Sequence, residues 1–147
     1  MKTKLEMSSF AATLTFPGGL PAFEHETQFR LHLDPASEPV GSLRSCVTPS
    51  LRFLVVPVLE IEREYALEMA HEDLVLLGLD GETPPVIGID VECLAILAAR
   101  EGQPVTANLL APVVINRRNS RGVQAVRLDS RYSHSHPLAG GPGDVQC

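Results

Sequence analysis

Turn-forming residues interrupt this chain so often that long helices have little room. Twelve prolines and eleven glycines are spread over 147 residues, and a proline inside a helix removes a hydrogen bond and kinks or breaks the helix. Between these interruptions lie short apolar or alternating runs, at a spacing of roughly 8–12 residues that is typical of all-β proteins. The pattern disfavours a helical bundle and predicts a small all-β barrel or sandwich.

Several runs have the period or composition of strands. The run QFRLHL (28–33) alternates Phe29, Leu31 and Leu33 with polar residues, as a half-buried strand does. The run LRFLVVPVL (51–59) is strongly apolar, and Pro57 near its end indicates an edge position or a bulge, because proline cannot donate to a ladder. Further strands are predicted at 11–16, 40–47, 60–69 (with an acidic face), 86–99, 105–110, 112–116 and 123–128.

One helix and one hairpin complete the predicted architecture. The segment EDLVLLGL (72–79) has acids at its start, which suit the helix dipole, and Gly78 can terminate it. The stretch from Asn116 to Gly122 predicts a hairpin connection, because Asn, Ser and Gly tolerate turn geometry. We expect one domain over residues 1–138 and a flexible tail at 139–147, where Gly and Pro are frequent.

Composition indicates a soluble protein of the cytoplasm. The apolar fraction is 44% and the charged fraction 20%, which is ordinary for a globular domain. No apolar run approaches the roughly 20 residues that cross a bilayer, and the N-terminus lacks the apolar core of a secretion signal. The three cysteines form no CxxC pair, as expected for free thiols in a reducing compartment. Apolar neighbours of Cys46 and Cys93 predict that both are buried rather than nucleophilic.

The net charge of −6 is unevenly distributed. Residues 1–99 carry 15 acids and 6 bases, whereas residues 100–147 carry 3 acids and 6 bases. The stretch from Glu60 to Glu92 holds ten acids against Arg63 alone. Such a surface repels nucleic acid and attracts basic partners, or it is simply a solvated face; charge alone leaves both interpretations open.

Motifs for catalysis, metals or cofactors are absent from the sequence or weak. There is no nucleophile elbow, P-loop, dinucleotide-binding or HExxH pattern, and no cofactor is expected. His134 and His136 could supply two ligands of a zinc site from one strand face, but nothing at a suitable spacing completes the set. Arg117, Arg118 and Arg121 could bind RNA or a small ligand, but without interleaved aromatic residues an ordinary charged hairpin tip is favoured.

Three segments together carry a resemblance to a known family: TFPGGLPAFE (15–24), EDLVLLGL (72–79) and TANLLAPVVIN with RGVQAVRLDSRYSHSHPL (106–138). In this order they resemble the FliW family of flagellar assembly factors. The resemblance implies a compact, barrel-like, antiparallel β-protein with one or two short helices and without enzymatic activity. The chain departs from the family pattern FPEGLPGFE, in which a glutamate and the second glycine are replaced here by Gly18 or Gly19 and by Ala22.

The resemblance also implies two protein partners. One is flagellin, bound through its C-terminal region, and the other is CsrA, the RNA-binding regulator that silences flagellin mRNA. A FliW protein held by unassembled flagellin cannot bind CsrA, and once flagellin is exported the released protein binds CsrA and relieves repression. No direct contact with nucleic acid or membrane is expected, and the free protein is expected to be a monomer.

Two groups of residues are candidates for contact with these partners. The first belongs to the segment that carries the resemblance: Asn108, Leu109, Leu110, Ala111, Pro112 and Asn116. The second provides the acidic field: Glu60, Glu62, Glu64, Glu68, Glu72 and Asp73. An alternative for the first group stays open, in which the leucines fill the barrel and the two asparagines fix turns through local hydrogen bonds.

Overall fold

The structure, a computed structural model, describes residues 10–126 and 131–138. In this part of the chain it contains eight strands and one α-helix, with 3-10 turns at Pro35–Ser37 and Val58–Glu60. The elements are β1 (Phe10–Thr15), β2 (Gln28–Leu33), β3 (Gly41–Ser45), β4 (Arg52–Pro57), α1 (His71–Leu76), β5 (Glu92–Ala98), β6 (Thr106–Asn116), β7 (Arg121–Gln124) and β8 (His136–Pro137).

Seven of the strands close into a barrel. Each of β1 to β5 pairs antiparallel with the next, β5 pairs with β6, and β6 pairs with β7. The ring closes through a parallel pair, Thr15 opposite Arg121, between β1 and β7. The short β8 lies beside the beginning of β6, with Thr106 opposite Pro137. The predicted all-β barrel is confirmed, with one parallel contact among antiparallel ones.

Two layers of apolar side chains hold the fold together. The barrel interior is filled from β1 to β6 by residues such as Phe16 and Phe29, whose rings meet edge to face with centroids 5.3 Å apart. A second layer lies outside the barrel, where residues of β5 and β6 such as Cys93 and Leu109 pack against Leu77 and the segment before α1. Strands β5 and β6 are therefore covered on both faces, which explains their nearly continuous apolar sequences.

The prediction of a strand at 60–69 is wrong. The segment begins in the 3-10 turn Val58–Glu60 and continues as an irregular loop. Its alternation of apolar and acidic residues arises because Ile61 and Tyr65 face the outer apolar layer while Glu60 and Glu64 are exposed. The closed ring offers this segment no neighbouring strand, so backbone pairing is replaced by side-chain anchoring.

Other predicted boundaries also shift. The predicted strand 86–99 starts only at Glu92, because Val86 to Val91 fold into a tight turn in which Asp90 N donates to Val86 O at 2.8 Å. The two predicted strands 105–110 and 112–116 form one strand, β6. The helix spans 71–76 and ends as predicted near Gly78, whose φ is +83°.

Several predictions hold, and one lies outside the described residues. Strand 28–33 has the predicted bounds, and 116–122 forms the predicted hairpin between β6 and β7. None of the helices in the described ranges is long and apolar enough to cross a membrane. The predicted flexible tail, 139–147, lies outside the described residues.

Candidate protein-binding site

Asn108 stands at an irregularity in the longest strand. Ile96 of β5 faces Asn108 and Leu94 faces Val113, so four residues of β6 oppose a single residue of β5. The side-chain Oδ1 of Asn108 accepts hydrogen bonds from Leu110 N at 3.1 Å and from Ala111 N at 3.0 Å. Asn108 therefore fixes this bulge through a local side-chain-to-backbone turn.

The rest of the bulge is bound by side chains from other segments. The hydroxyl of Tyr65 donates to Leu109 O at 2.5 Å, and Gln124 Nε2 donates to Ala111 O at 3.0 Å. Pro112 contributes no N–H that would need a partner. The carbonyl groups of Leu109 and Ala111, which leave the β-ladder here, are therefore satisfied by side chains, as buried polar groups must be.

Burial divides the first group of candidate residues. The side chains of Leu109, Ala111, Pro112 and Asn116 are buried. Asn108 and Leu110 are half-buried and expose some surface. Contact between this segment and a partner stays a prediction, and in this conformation only the last two side chains can provide it.

Asn116 links the hairpin to the helix. Its Nδ2 donates to Leu77 O at 2.9 Å, and its Oδ1 accepts from Arg118 N at 3.0 Å. Asn119 Nδ2 donates to the same Leu77 carbonyl at 2.9 Å, and Arg121 Nη1 donates to Leu76 O at 3.3 Å. The hairpin thus satisfies carbonyl groups that the C-terminus of α1 leaves without intrahelical partners.

The three arginines of the hairpin serve separate contacts. Arg121 binds the helix end, and Arg117 forms an ion pair with Glu92. Arg118 is exposed at the hairpin tip. Because two of the three guanidinium groups are held by protein partners, the structure does not assemble the joint phosphate-binding patch that the RNA alternative requires.

The second, acidic group lies on one continuous segment outside the barrel. Glu60 ends the second 3-10 turn, three further glutamates follow in the loop, and Glu72 and Asp73 occupy the first turn of α1, where negative charge favours the helix dipole. Most of the group is exposed: Glu60, Glu64, Glu68 and Glu72; the half-buried members are Glu62 and Asp73. Burial, followed by the nearby Glu72, raises the pKa of Asp73.

Two tyrosines anchor this acidic segment, a feature that the sequence did not reveal. The rings of Tyr65 and Tyr132 stack with centroids 4.4 Å apart, and Tyr132 Oη accepts from Ala66 N at 3.0 Å. Tyr65 is buried and also binds the β6 bulge. The acidic segment is therefore held in a defined position against β6, close in the fold to Asn108 and Leu110.

A groove at one end of the barrel was not predicted. This end groove has a volume of about 770 Å³ and is lined by five chain segments, four of which contribute apolar residues such as Leu33, Val40, Pro57, Leu59 and Ile89. Its volume lies in the range of ligand clefts, about 300–1,000 Å³. No sequence signal indicated it, because Ile89, which is 79% exposed, belongs to the run 86–99 that was predicted as a strand.

The histidines and cysteines do not form a reactive site within the described residues. His134 is exposed and His136 is half-buried in β8, and no three His, Cys, Asp or Glu side chains of the described ranges are grouped to hold a metal ion. Cys93 is buried as predicted, and burial raises the pKa of its thiol to about 12. The prediction for Cys46 is wrong, because this residue lies past the end of β3 beside the exposed Val47.

Comparison with known proteins identifies the family. The family model for the FliW protein matches residues 2–138. This chain belongs to the FliW family. The flagellar assembly factor FliW of Bacillus subtilis (strain 168) is 33% identical over 128 residues, which cover 86% of this chain and 85% of that protein.

Other FliW proteins also match over most of both chains. The flagellar assembly factor FliW of Thermotoga petrophila is 28% identical over 140 residues, covering 94% of this chain and 91% of that protein. A crystal structure of the flagellar assembly factor FliW matches with a TM-score of 0.72 and 28% identity, over 94% of this chain and 89% of that one. The barrel fold and the sequence therefore point to the same family.

Proposed function

We propose that this protein is a cytoplasmic flagellar assembly factor that acts by binding other proteins and not by catalysis. The observation that carries the proposal is the match of the FliW family model over residues 2–138, supported by relatives named flagellar assembly factor FliW. The partners are the C-terminal region of flagellin and, once flagellin has left, the translational regulator CsrA.

The two partners make the protein a switch. While unassembled flagellin is abundant, it occupies the protein and leaves CsrA on flagellin mRNA. Export of flagellin releases the protein, which binds CsrA and relieves repression. Translation of the filament protein is then coupled to its assembly, with no chemistry beyond binding equilibria.

The acidic segment supplies a physical reason for the effect on RNA. The RNA-binding surface of CsrA has to be basic, so a negatively charged partner docks near that surface and repels the nucleic acid. Glu60, Glu64 and Glu68 are exposed and follow each other on one anchored loop. Their field acts within a screening distance of about 8 Å at physiological ionic strength, so it operates only in a docked complex.

Charge reversal tests this mechanism. The variant carries Glu60→Lys, Glu64→Lys and Glu68→Lys; Glu62 is spared because its carboxylate accepts a hydrogen bond from Glu64 N at 3.2 Å. We expect the triple variant to lose the displacement of RNA from CsrA in a titration, in buffers of low and of physiological salt.

A control variant has the same change in net charge. It carries Glu82→Lys, Glu101→Lys, Ser50→Lys and Gln103→Lys, four exposed residues outside the acidic loop, and should displace RNA as the unmodified protein does. Unchanged displacement by the loop variant would show that the acidic loop does not act on RNA.

A further inference from the structure

One edge of β1 is open over most of its length in the described structure. All six residues of β1 pair with β2 on one side. On the other side, only Thr15 is paired with a described residue, through Arg121 opposite it and through its N–H, which donates to Ser120 O at 2.8 Å. Main-chain groups two residues apart in a strand point the same way. The N–H and C=O groups of Thr13 and Ala11 therefore face the open edge.

This open edge lies between two elements that line the end groove, β2 and the β6–β7 hairpin. Phe10 of β1 pairs with Leu33, which lines one wall of the groove. The hairpin at which the pairing of β1 stops carries Arg117 and Arg118, which line another wall. A strand added to β1 along Ala11 and Thr13 would therefore lie between these two walls, with alternate side chains directed at the groove.

The groove combines an apolar surface with an acidic rim. Its apolar walls include Leu33, Val40, Pro57 and Leu59. The charged residues around it are Asp34, Glu38, Glu60, Asp90, Glu92, Arg117 and Arg118. Glu92 and Arg117 form an ion pair. The remaining charges are four carboxylates and one guanidinium group, so the rim is negative.

Ile89 presents an apolar side chain at the groove on a well-held turn. Gly88 N donates to Val91 O at 2.7 Å, and Val86 N donates to the Asp90 carboxylate at 2.8 Å. The turn fixes the backbone of Ile89, whose side chain remains 79% exposed. Such a residue loses little conformational freedom on binding and is suited to anchor a partner.

We propose that the end groove binds an extended segment of a partner protein, which adds as a strand to the open edge of β1. Main-chain hydrogen bonds to Ala11 and Thr13 hold the segment, alternate apolar side chains enter the groove, and lysine or arginine residues meet the acidic rim. The inference rests on the proposed function only in taking the ligand to be a protein.

A synthetic peptide tests the site independently of flagellin and CsrA. The probe is an eight-residue peptide of alternating Val and Lys, titrated into the full-length protein and followed by NMR and amide hydrogen exchange. We expect slowed exchange at Ala11 and Thr13 and shifts at Ile89. A peptide of alternating Val and Glu, and a Val–Lys peptide with N-methylated valines or lysines on the pairing edge, should each bind at least about tenfold more weakly.

Two variants and two matched controls locate the contact. Ile89→Ala and Glu38→Lys should each weaken peptide binding about tenfold, the loss of one anchor or of charge attraction. Val47→Ala removes a side chain that is 74% exposed at the other end of β3, and Glu101→Lys reverses an exposed charge between β5 and β6. Both controls should leave binding unchanged.

Four outcomes overturn the proposal. These are equal binding by the groove variants and their controls, unchanged exchange at Ala11 and Thr13 with peptide, protection of these amides that grows with protein concentration, and protection already complete in dilute protein. Protection that grows with protein concentration would show that a second copy of this chain pairs with the edge. Protection that is complete in dilute protein would show that another part of the same chain does so. Binding of flagellin and CsrA without peptide protection would overturn the groove and leave the proposed function standing. Protection by the peptide in a protein that binds neither flagellin nor CsrA would overturn the proposed function and leave the groove standing.

Discussion

The side-chain amide of Asn116 donates a 2.9 Å hydrogen bond to the main-chain carbonyl of Leu77, the residue that follows the last residue of α1. Asn116 is buried, and its other amide atom accepts from Arg118 N. This asparagine therefore joins the end of β6, the hairpin and the helix. Its role in the described structure is to hold the scaffold on which the acidic segment is carried.

Replacement of Asn116 should destabilise the fold. Asn116→Ala leaves Arg118 N without its side-chain acceptor and removes one of two donors to Leu77 O. We expect the free energy of unfolding to fall by about 1–3 kcal/mol, the cost of unsatisfied buried groups, in urea or thermal denaturation.

Asn119→Ala is the matched control for that substitution. Asn119 donates to the same carbonyl but is exposed, so we expect a loss of about 0.5–1 kcal/mol. Equal losses for both variants would contradict the assignment of Asn116 as the buried link.

A pair of substitutions at Asn108 distinguishes a structural role of this residue from a role in partner binding. Asn108→Ala removes the acceptor for Leu110 N and Ala111 N and should cost about 1–2 kcal/mol. Asn108→Asp keeps an acceptor oxygen and should restore most of the stability. Thermal unfolding and partner binding are measured for both; a stable Asp variant that fails to bind flagellin or CsrA would show that Asn108 also contacts a partner.

Ala22 is held in a conformation that suits glycine. Its φ is +74°, a region that costs a residue with a Cβ atom about 1–2 kcal/mol. This is the position at which the family pattern has glycine. Ala22→Gly should raise the free energy of unfolding by about 0.5–1 kcal/mol after the larger entropy of unfolded glycine is subtracted, measured as a higher thermal midpoint.

Gly19 gives the opposite test in the same loop. A Cβ atom there would lie 2.3 Å from Glu24 O, at a φ of +69°, so Gly19→Ala should destabilise by about 2 kcal/mol or more. An unchanged or lowered midpoint for Ala22→Gly would show that the positive φ at Ala22 carries no strain.

Glu26 makes stability depend on acid pH. Its buried carboxylate accepts hydrogen bonds from the hydroxyl of Ser45 and, at 2.8 Å, from that of Thr48. These two bonds, in that order, and the nearby His25 lower the pKa of Glu26, against an opposing effect of burial. The folded state thus keeps this carboxylate ionised to lower pH than the unfolded chain does.

The ionised Glu26 side chain therefore stabilises the fold by an amount that disappears at acid pH. This stabilisation is complete above the pKa of about 4.3 that the residue has in the unfolded chain. It is lost as the pH falls through the lower pKa of the folded state. Thermal midpoints of the unmodified protein and of Glu26→Gln should differ by a constant amount between pH 7 and 5, and the difference should shrink below about pH 4. A difference that stays constant into strong acid would contradict this role.

The sequence predicted those parts of the fold that depend on local pattern. Phe29 and Leu31 alternate with polar neighbours because one face of β2 fills the barrel, so its bounds could be predicted. The same alternation around Tyr65 was misleading, because apolar side chains on a loop can face a core without any strand partner. Local pattern does not state whether a neighbouring strand position is available.

The candidate site was less predictable because its geometry is long-range. The segment around Asn108 was recognised from its residues, but its burial depends on Tyr65 and Gln124, which arrive from distant parts of the chain. The end groove joins five separate segments, none of which has a motif of its own. Ile89 was assigned to the predicted strand 86–99, and only the structure shows that its side chain is exposed on a turn.

The central claim, a protein that exchanges flagellin for CsrA, is tested most directly by competition between the purified partners. Calorimetric titration of CsrA into the free protein, and into the protein saturated with flagellin, measures the exchange. We predict binding of CsrA to the free protein and loss of that binding in the flagellin complex. Equal affinity for CsrA in both states, or no binding of either partner, would contradict the account.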